Sequence, residues 1–269
     1  MTSAAVYGAV TSILILLWLV YRYGLFVPSP KGLPILLYHK VSPHDNDSLT
    51  ISVDRLDRQL AYIKSIGYTP ISFLELRNSL QGRHPLPARP VLVTFDDGYR
   101  STYELAYPLL LKHQFKATVF LPAAFIGGVD GWNNGTEPLM SYDMIRQMAS
   151  STLIEFGLHS YLHENYQFYS AAQVEADLSR CVRTLEENGC PFTRVFAYPY
   201  GRMPKDESVN RALRELFRKH GIDFAVRIGS RINALPPRDV YELKRSVVRG
   251  TDSFWEFKIK LQKGRTKLF

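Results

Sequence analysis

The sequence predicts an α/β fold, a distorted and incomplete TIM-like (β/α)7 barrel with an N-terminal transmembrane helix. Three observations carry that reading. Short apolar, β-branched runs alternate with helical runs from residue 34 onward, the pattern of a parallel sheet with helices outside it. His39, Asp96, Asp97, His159 and Tyr200 each fall at or just beyond the C-terminal end of a predicted strand. In a parallel barrel those ends share one face. Finally, residues 4–21 carry no charged side chain.

The uncharged stretch centres on residues 13–20 and just reaches the length of a membrane-spanning helix. Trp18, Tyr21 and Tyr23 fit an interfacial aromatic belt. A cleaved signal peptide would need a basic start and a small-x-small cleavage site. No Lys or Arg precedes Arg22, and Val27-Pro28-Ser29-Pro30 is a poor site. Residues 1–27 therefore read as an uncleaved anchor, with a buried core helix as the alternative. Residues 28–33 form a stiff linker, and 34–269 form one catalytic-sized domain.

Residues 35–38 begin the barrel as a strand. A helix over 53–66 follows, with Leu56, Leu60 and Ile63 at helical spacing. Residues 69–72 lead into a helix at 74–80. Val91-Leu92-Val93, after Pro90, is a buried strand that runs to Phe95. A helix at 99–113 and a strand at 117–121 come next. Residues 122–139, rich in Gly and Asn, are too long and polar for a simple connection, and such loops often carry function. Helices at 142–149, 171–188 and 207–219 precede strands at 153–157, 195–198 and 223–226. A strand at 243–248 and a helix at 253–262 close the pattern.

The composition, 46% apolar and 22% charged, is that of a globular protein. Much of the net charge of +8 lies near the end, at Lys258, Lys260, Lys263, Arg265 and Lys267. No aromatic-interleaved basic groove accompanies it, so nucleic acid is not an expected partner. A membrane with anionic lipids is a better sink for that charge, and a solvated tail is the plain alternative. Cys181 and Cys190, the only cysteines, are separated by mostly helical rise of roughly 10 Å or more, too far for a disulfide.

The chemistry centres on Thr94-Phe95-Asp96-Asp97-Gly98. Adjacent carboxylates repel and raise each other's pKa. A divalent cation would remove that objection by binding one and leaving the other free as a base. The alternative is that both merely cap the helix starting near Tyr99. His159 and His163, four residues apart, supply ligands that an Asp pair alone lacks. Their spacing suits one face of a helical turn. Gly98 would let the backbone turn so that both aspartates face one pocket.

Thr-Phe-Asp-Asp-Gly followed by His159-Ser160-Tyr161-Leu162-His163 resembles the polysaccharide deacetylases, the NodB-like carbohydrate esterases of family 4. Residues 196–201, Phe-Ala-Tyr-Pro-Tyr-Gly, look like that family's third motif, and residues 36–41, Leu-Leu-Tyr-His-Lys-Val, are similar to the poly-N-acetylglucosamine deacetylase branch. The likeness extends from about residue 34 to about residue 250. It implies a TIM-like barrel, Asp97, His159 and His163 as metal ligands, and Asp96 as general base. It also implies that the Tyr200 backbone N–H stabilises the oxyanion. Zinc suits such a ligand set, as do cobalt, nickel or iron.

Two departures matter. The late Leu-x-His that supplies a general acid in many members is missing after Gly221. In the exopolysaccharide branch the acid comes from the first strand, where His39 stands, opposite the base if the barrel closes. His220 belongs with a helix, away from that face. Ala197 replaces the third motif's arginine, and Arg245 either orients Asp96 instead or forms a surface ion pair. Tyr198, Trp132 and Asn133 are candidate pocket walls.

The resemblance thus implies a metal-dependent hydrolase that removes N-acetyl groups from N-acetylhexosamine units of an envelope or extracellular polysaccharide. Alternatives are a deacetylase of peptidoglycan, chitin-like oligomers or a lipid-linked sugar, and an inactive glycan-binding relative. Arg22 and Lys31 follow the span, which by the positive-inside rule places the domain in the cytoplasm. Most of the family works on exported glycans, so the expected location is a single-pass membrane protein with its catalytic domain extracytoplasmic.

Overall fold

Strands buried along their whole length need cover on both faces, and a closed barrel wrapped by helices provides it. The computed structural model describes residues 3–23, 29–133 and 135–265. In chain order its elements are α1 (Ser3–Tyr23), β1 (Ile35–Tyr38), β2 (Lys40–Ser42), β3 (Thr50–Ser52), α2 (Val53–Ser65), β4 (Thr69–Pro70) and α3 (Phe73–Leu80). Then come β5 (Pro90–Phe95), α4 (Tyr107–Lys112), β6 (Ala117–Leu121), α5 (Tyr142–Ala149), β7 (Ile154–Leu158) and α6 (Ala171–Glu187). The chain closes with β8 (Val195–Ala197), α7 (Glu207–Lys219), β9 (Phe224–Ile228), β10 (Leu243–Val247) and α8 (Phe254–Lys263).

Parallel pairing runs β1-β10-β9-β8-β7-β6-β5, and β5 returns to β1 with Ile35 opposite Leu92 and Tyr38 opposite Phe95. The ring is therefore closed with seven strands, while the two-residue β4 pairs only with the start of β5. Alternation along each strand separates two cores. Ile35, Leu92, Phe120, Val195, Phe224 and Leu243 pack together as one. Leu36, Val91, Val93, Val119 and Phe196 join the helices in the other. Capping boxes at Ser72, Ser170 and Ser253 start α3, α6 and α8.

The helix expected at 99–113 forms over residues 100–112, with a π turn at Thr102–Ala106 leading into α4. Neither aspartate caps it, because Asp97 has left-handed backbone (φ 72°) and the helical segment starts beyond Tyr99. The small parallel pair β2–β3 was not expected, since three-residue strands carry too little apolar pattern.

The expected transmembrane span at the N-terminus needs correction. A helix forms there, but among the described residues no helix is long and apolar enough to cross a membrane. The side chains of Tyr21 and Tyr23, the linker residue Pro28 and the basic Lys267 lie outside the described residues. Cys181 and Cys190 are buried free thiols.

Glu155 ties the far end of the barrel together. Its carboxylate accepts from the Phe73 N–H at the start of α3, from Thr118 on β6 and from Thr193 before β8. Burial nevertheless outweighs these donors and raises its pKa. A carboxyl whose folded pKa is raised binds more protons folded than unfolded, so it stabilises most at low pH. That contribution is lost as pH rises above the ordinary glutamate range. Urea unfolding should therefore show stability falling as pH rises above the ordinary glutamate range, and Glu155→Gln should flatten the decline. An unchanged slope in the variant would place the pH dependence elsewhere.

Candidate active site

The site begins where β5 ends. Leu92, Thr94 and Asp96 share one side of the strand, and Leu92 packs with the inner core, so Asp96 faces the barrel interior. The left-handed turn at Asp97 brings the next carboxylate round to the same space. Gly98 permits this, with φ 64° and no room for a Cβ, which would lie 2.9 Å from Leu121. Both aspartates are almost fully buried.

Each has its own compensation. Arg245 on β10, 0% exposed, donates from Nη1 to Asp96 Oδ1 at 2.5 Å and from Nη2 to Oδ2 at 2.7 Å. Nη1 also reaches Thr94 Oγ1 at 3.2 Å, and the guanidinium lies over the Phe120 ring. The surface-ion-pair alternative is thereby excluded. Burial would raise the Asp96 pKa, but Arg245 and His159 outweigh it and hold the carboxyl below its usual range.

Asp97 faces the two histidines. Its Oδ1 lies 3.3 Å from His159 Nε2 and 3.1 Å from His163 Nε2. The segment that carries them is not helical. Ser160 and His163 both have left-handed backbone, and the Ser160 hydroxyl accepts the His163 N–H. Asp177 on α6 accepts from the Tyr161 and Leu162 N–H groups and the Tyr166 hydroxyl. These bonds replace a helical turn with a pinned loop.

The three residues fit a metal ion. Their ligand atoms lie within 4.8 Å of one another and all are buried. Two ligands ~2.0–2.1 Å from a tetrahedral ion stand about 3.3–3.4 Å apart, close to both distances at Asp97. Asp97 Oδ1 makes no aligned hydrogen bond despite its burial. His159 Nδ1 donates to the Ala197 carbonyl at 2.8 Å, which turns the Nε2 lone pair inward. Burial is outweighed at Asp97 by the histidines, which hold it well below the carboxylate range. At His159 burial is outweighed by Asp96 and Asp97, which raise its pKa, and at His163 burial wins and lowers it.

A cavity of about 480 Å³ opens over this cluster, lined also by His39, Tyr99, Trp132, Asn133, Tyr200 and Arg249. The size suits a small-molecule or sugar-unit site. His39 stands one residue beyond β1, on the strand beside Asp96, not opposite it: the Asp96 N–H donates to the Tyr38 carbonyl. Burial lowers the His39 pKa, while Asp97 and Asp96 pull it up. Tyr200 turns through left-handed backbone and stays 46% exposed. His220 ends α7 and faces Ser179, outside the barrel.

Tyr198 is not a pocket wall. It follows Ala197 of the inner core, so alternation sends it outward, where its hydroxyl donates to Tyr241 and its ring meets Phe196 and Phe217. Sequence reasoning missed Tyr99, which burial and nearby Asp97 hold un-ionised. It also missed Asp177, indistinguishable in sequence from the exposed acids around it on α6.

A family model described as polysaccharide deacetylase matches residues 83–225, just over half the chain. The poly-beta-1,6-N-acetyl-D-glucosamine N-deacetylase of Staphylococcus aureus (strain MSSA476) is 27% identical over 181 residues, 64% of this chain and 60% of that protein. The Escherichia coli (strain K12) protein of the same name is 29% identical over 147 residues, 49% of this chain and 21% of its own length. The chain thus spans less than two thirds of these curated relatives. The solved structure of IcaB from Ammonifex degensii superposes with a TM-score of 0.69 at 27% identity, covering 87% of this chain and 97% of that one.

Removing Arg245 would leave a buried, unpaired carboxylate. Arg245→Leu should therefore cost about 3–5 kcal/mol of unfolding free energy. Adding Asp96→Asn should recover a large part of that loss. A double variant as unstable as the single one would assign Arg245 to packing instead of charge compensation.

Proposed function

This chain belongs to the polysaccharide deacetylase family, and on that premise we propose that it hydrolyses N-acetyl groups from N-acetylhexosamine units of an envelope or extracellular polysaccharide. The observation that carries the reading is the buried Asp97–His159–His163 cluster beside an Asp96 held anionic by Arg245. The names of the relatives favour a poly-N-acetylglucosamine substrate.

A divalent ion held by Asp97, His159 and His163, with zinc the best match to those donors, would supply Lewis-acid polarisation of the acetamide carbonyl and a more acidic water. Asp96 takes a proton from the water as its oxygen bonds to the carbonyl carbon. The oxyanion so formed accepts a hydrogen bond from the Tyr200 backbone N–H. His39 then gives a proton to the departing nitrogen as the C–N bond breaks, leaving acetate and a free amine. The proton that Asp96 takes from the water then replaces the one His39 gives up, so both side chains return to their starting state after each turnover.

Membrane attachment through residues 1–27, a linker at 28–33 and a domain at 34–269 belong to the same proposal, with the catalytic domain extracytoplasmic. Support comes from the uncharged run 4–21 and from the exposed side chains of Ile13, Leu14, Ile15, Leu16 and Leu17. Deleting residues 1–27 should move the protein from the membrane to the soluble fraction. A full chain found only in the soluble fraction would end the attachment reading.

Acetate release from β-1,6-linked N-acetylglucosamine oligomers tests the activity. Asp96→Asn should retain metal and lose turnover, whereas Asp97→Asn should lose metal itself. His39→Ala should slow turnover by roughly 10²–10⁴-fold, as for loss of a general acid, at near-normal metal content. Should His220→Ala be the damaging change and His39→Ala nearly silent, the role given to His39 falls.

A further inference from the structure

The two histidines that face Asp97 are held by different means. His159 is fixed by the hydrogen bond from its Nδ1 to the Ala197 carbonyl. His163 Nδ1 is buried and has no hydrogen-bond partner. A metal-ligating histidine almost always donates its second ring N–H, which sets its tautomer and orientation. His163 has ring contacts instead. The Trp132 indole lies against its imidazole with centroids 4.2 Å apart and planes 31° apart. The Tyr200 ring stands 5.0 Å away, and Phe125 braces Trp132 edge-on at 5.0 Å.

The loop that carries Trp132 is firmly built. Asp130, fully buried, accepts from the Glu137 N–H and the Asn133 amide. Val129 bridges to Pro138 and Tyr99 to Leu139, and a Lys40–Glu137 ion pair at 3.2 Å ties the loop to β2. Gly131 packs so closely on Phe125 that a Cβ there would come within 2.6 Å of its ring. The position of the indole is therefore fixed from behind by the same ring that braces it.

We propose that Trp132 is a positioning residue of the metal centre, whose indole face holds the His163 imidazole with Nε2 toward Asp97. Stacking does for His163 what the Ala197 carbonyl does for His159. The inference rests on the metal reading given above and adds a determinant of affinity outside the ligand set. Trp132 also lines the cavity, so glycan contacts and ligand geometry meet in one side chain.

The test is zinc titration of the metal-free full chain against a chromogenic chelator, with thermal unfolding of each variant followed in parallel. Trp132→Leu, which keeps apolar bulk but loses the aromatic face, should weaken zinc binding by roughly 10–100-fold, the range for losing groups that orient a ligand. Trp132→Phe should recover most of it, and the metal-free Tm should change little. Zinc affinity equal to wild type in Trp132→Leu overturns the proposal, even if KM for the glycan rises, because Trp132 would then be a sugar platform only. If Trp132→Leu does not fold, Phe125→Ala removes the brace without touching His163. Weakened zinc binding then supports the proposal, and unchanged binding overturns it. A wild-type chain that takes up no zinc sinks the metal reading beneath it, a result distinguishable from failure of the Trp132 variants alone.

Discussion

Burying two adjacent carboxylates at the end of one strand is the constraint on which the upper face of this barrel depends. Left unpaired, buried charges of like sign would cost several kcal/mol each. Asp96 and Asp97 divide the problem. One takes the bidentate guanidinium of Arg245, and the other faces two imidazoles that can share a cation with it. The first solution reaches down into the barrel. Arg245 lies over Phe120, and Phe120 fills the space where a Gly157 Cβ would stand, 2.6 Å from its ring. The Phe120 ring thus packs between the Arg245 guanidinium and the glycine on β7, which Val195 also crowds.

The second solution is written into the backbone. Among the described residues six non-glycine residues have positive φ, and four of them, Asp97, Ser160, His163 and Tyr200, belong to this site. Such conformations cost about 1–3 kcal/mol each, and they persist because other groups overdetermine them. Asp177 holds the loop between the histidines through three donors. Gly98 relieves the turn after Asp97. The strain aims three side chains that an ordinary strand end or helical turn would point apart.

Much of this was legible in the sequence, and the failures have physical causes. β1 and β6 carry short apolar runs and α5 and α7 helical spacing, so these four fall where the pattern places them. The β2–β3 pair is too short to carry a pattern. The helical reading of the histidine spacing failed because local side-chain bonds from Ser160 and Asp177 outcompeted a turn that spacing alone cannot distinguish. Strict alternation would have settled two open questions. Arg245 shares parity with the inner-core Leu243, and Tyr198 does not share it with Ala197. At the N-terminus the uncharged run does form a helix, but among the described residues no helix is long and apolar enough to cross a membrane.

Closure of the ring gives His39 its place. Seven strands are fewer than a full TIM barrel has, yet β1 pairs with both β5 and β10. The strand that ends in His39 is therefore hydrogen-bonded to the strand of Asp96 on one side and to that of Arg245 on the other. An open sheet would leave β1 at an edge, with the first strand's histidine remote from one of them. The register Tyr38 opposite Phe95 sets His39 level with Asp96, so the two groups proposed to take and give protons stand side by side above one cavity. A late histidine is then unnecessary for the site to hold both, because the first strand already brings one to the base. In the proposed mechanism the closed ring answers the missing Leu-x-His, because it brings a first-strand histidine to the face on which the base acts.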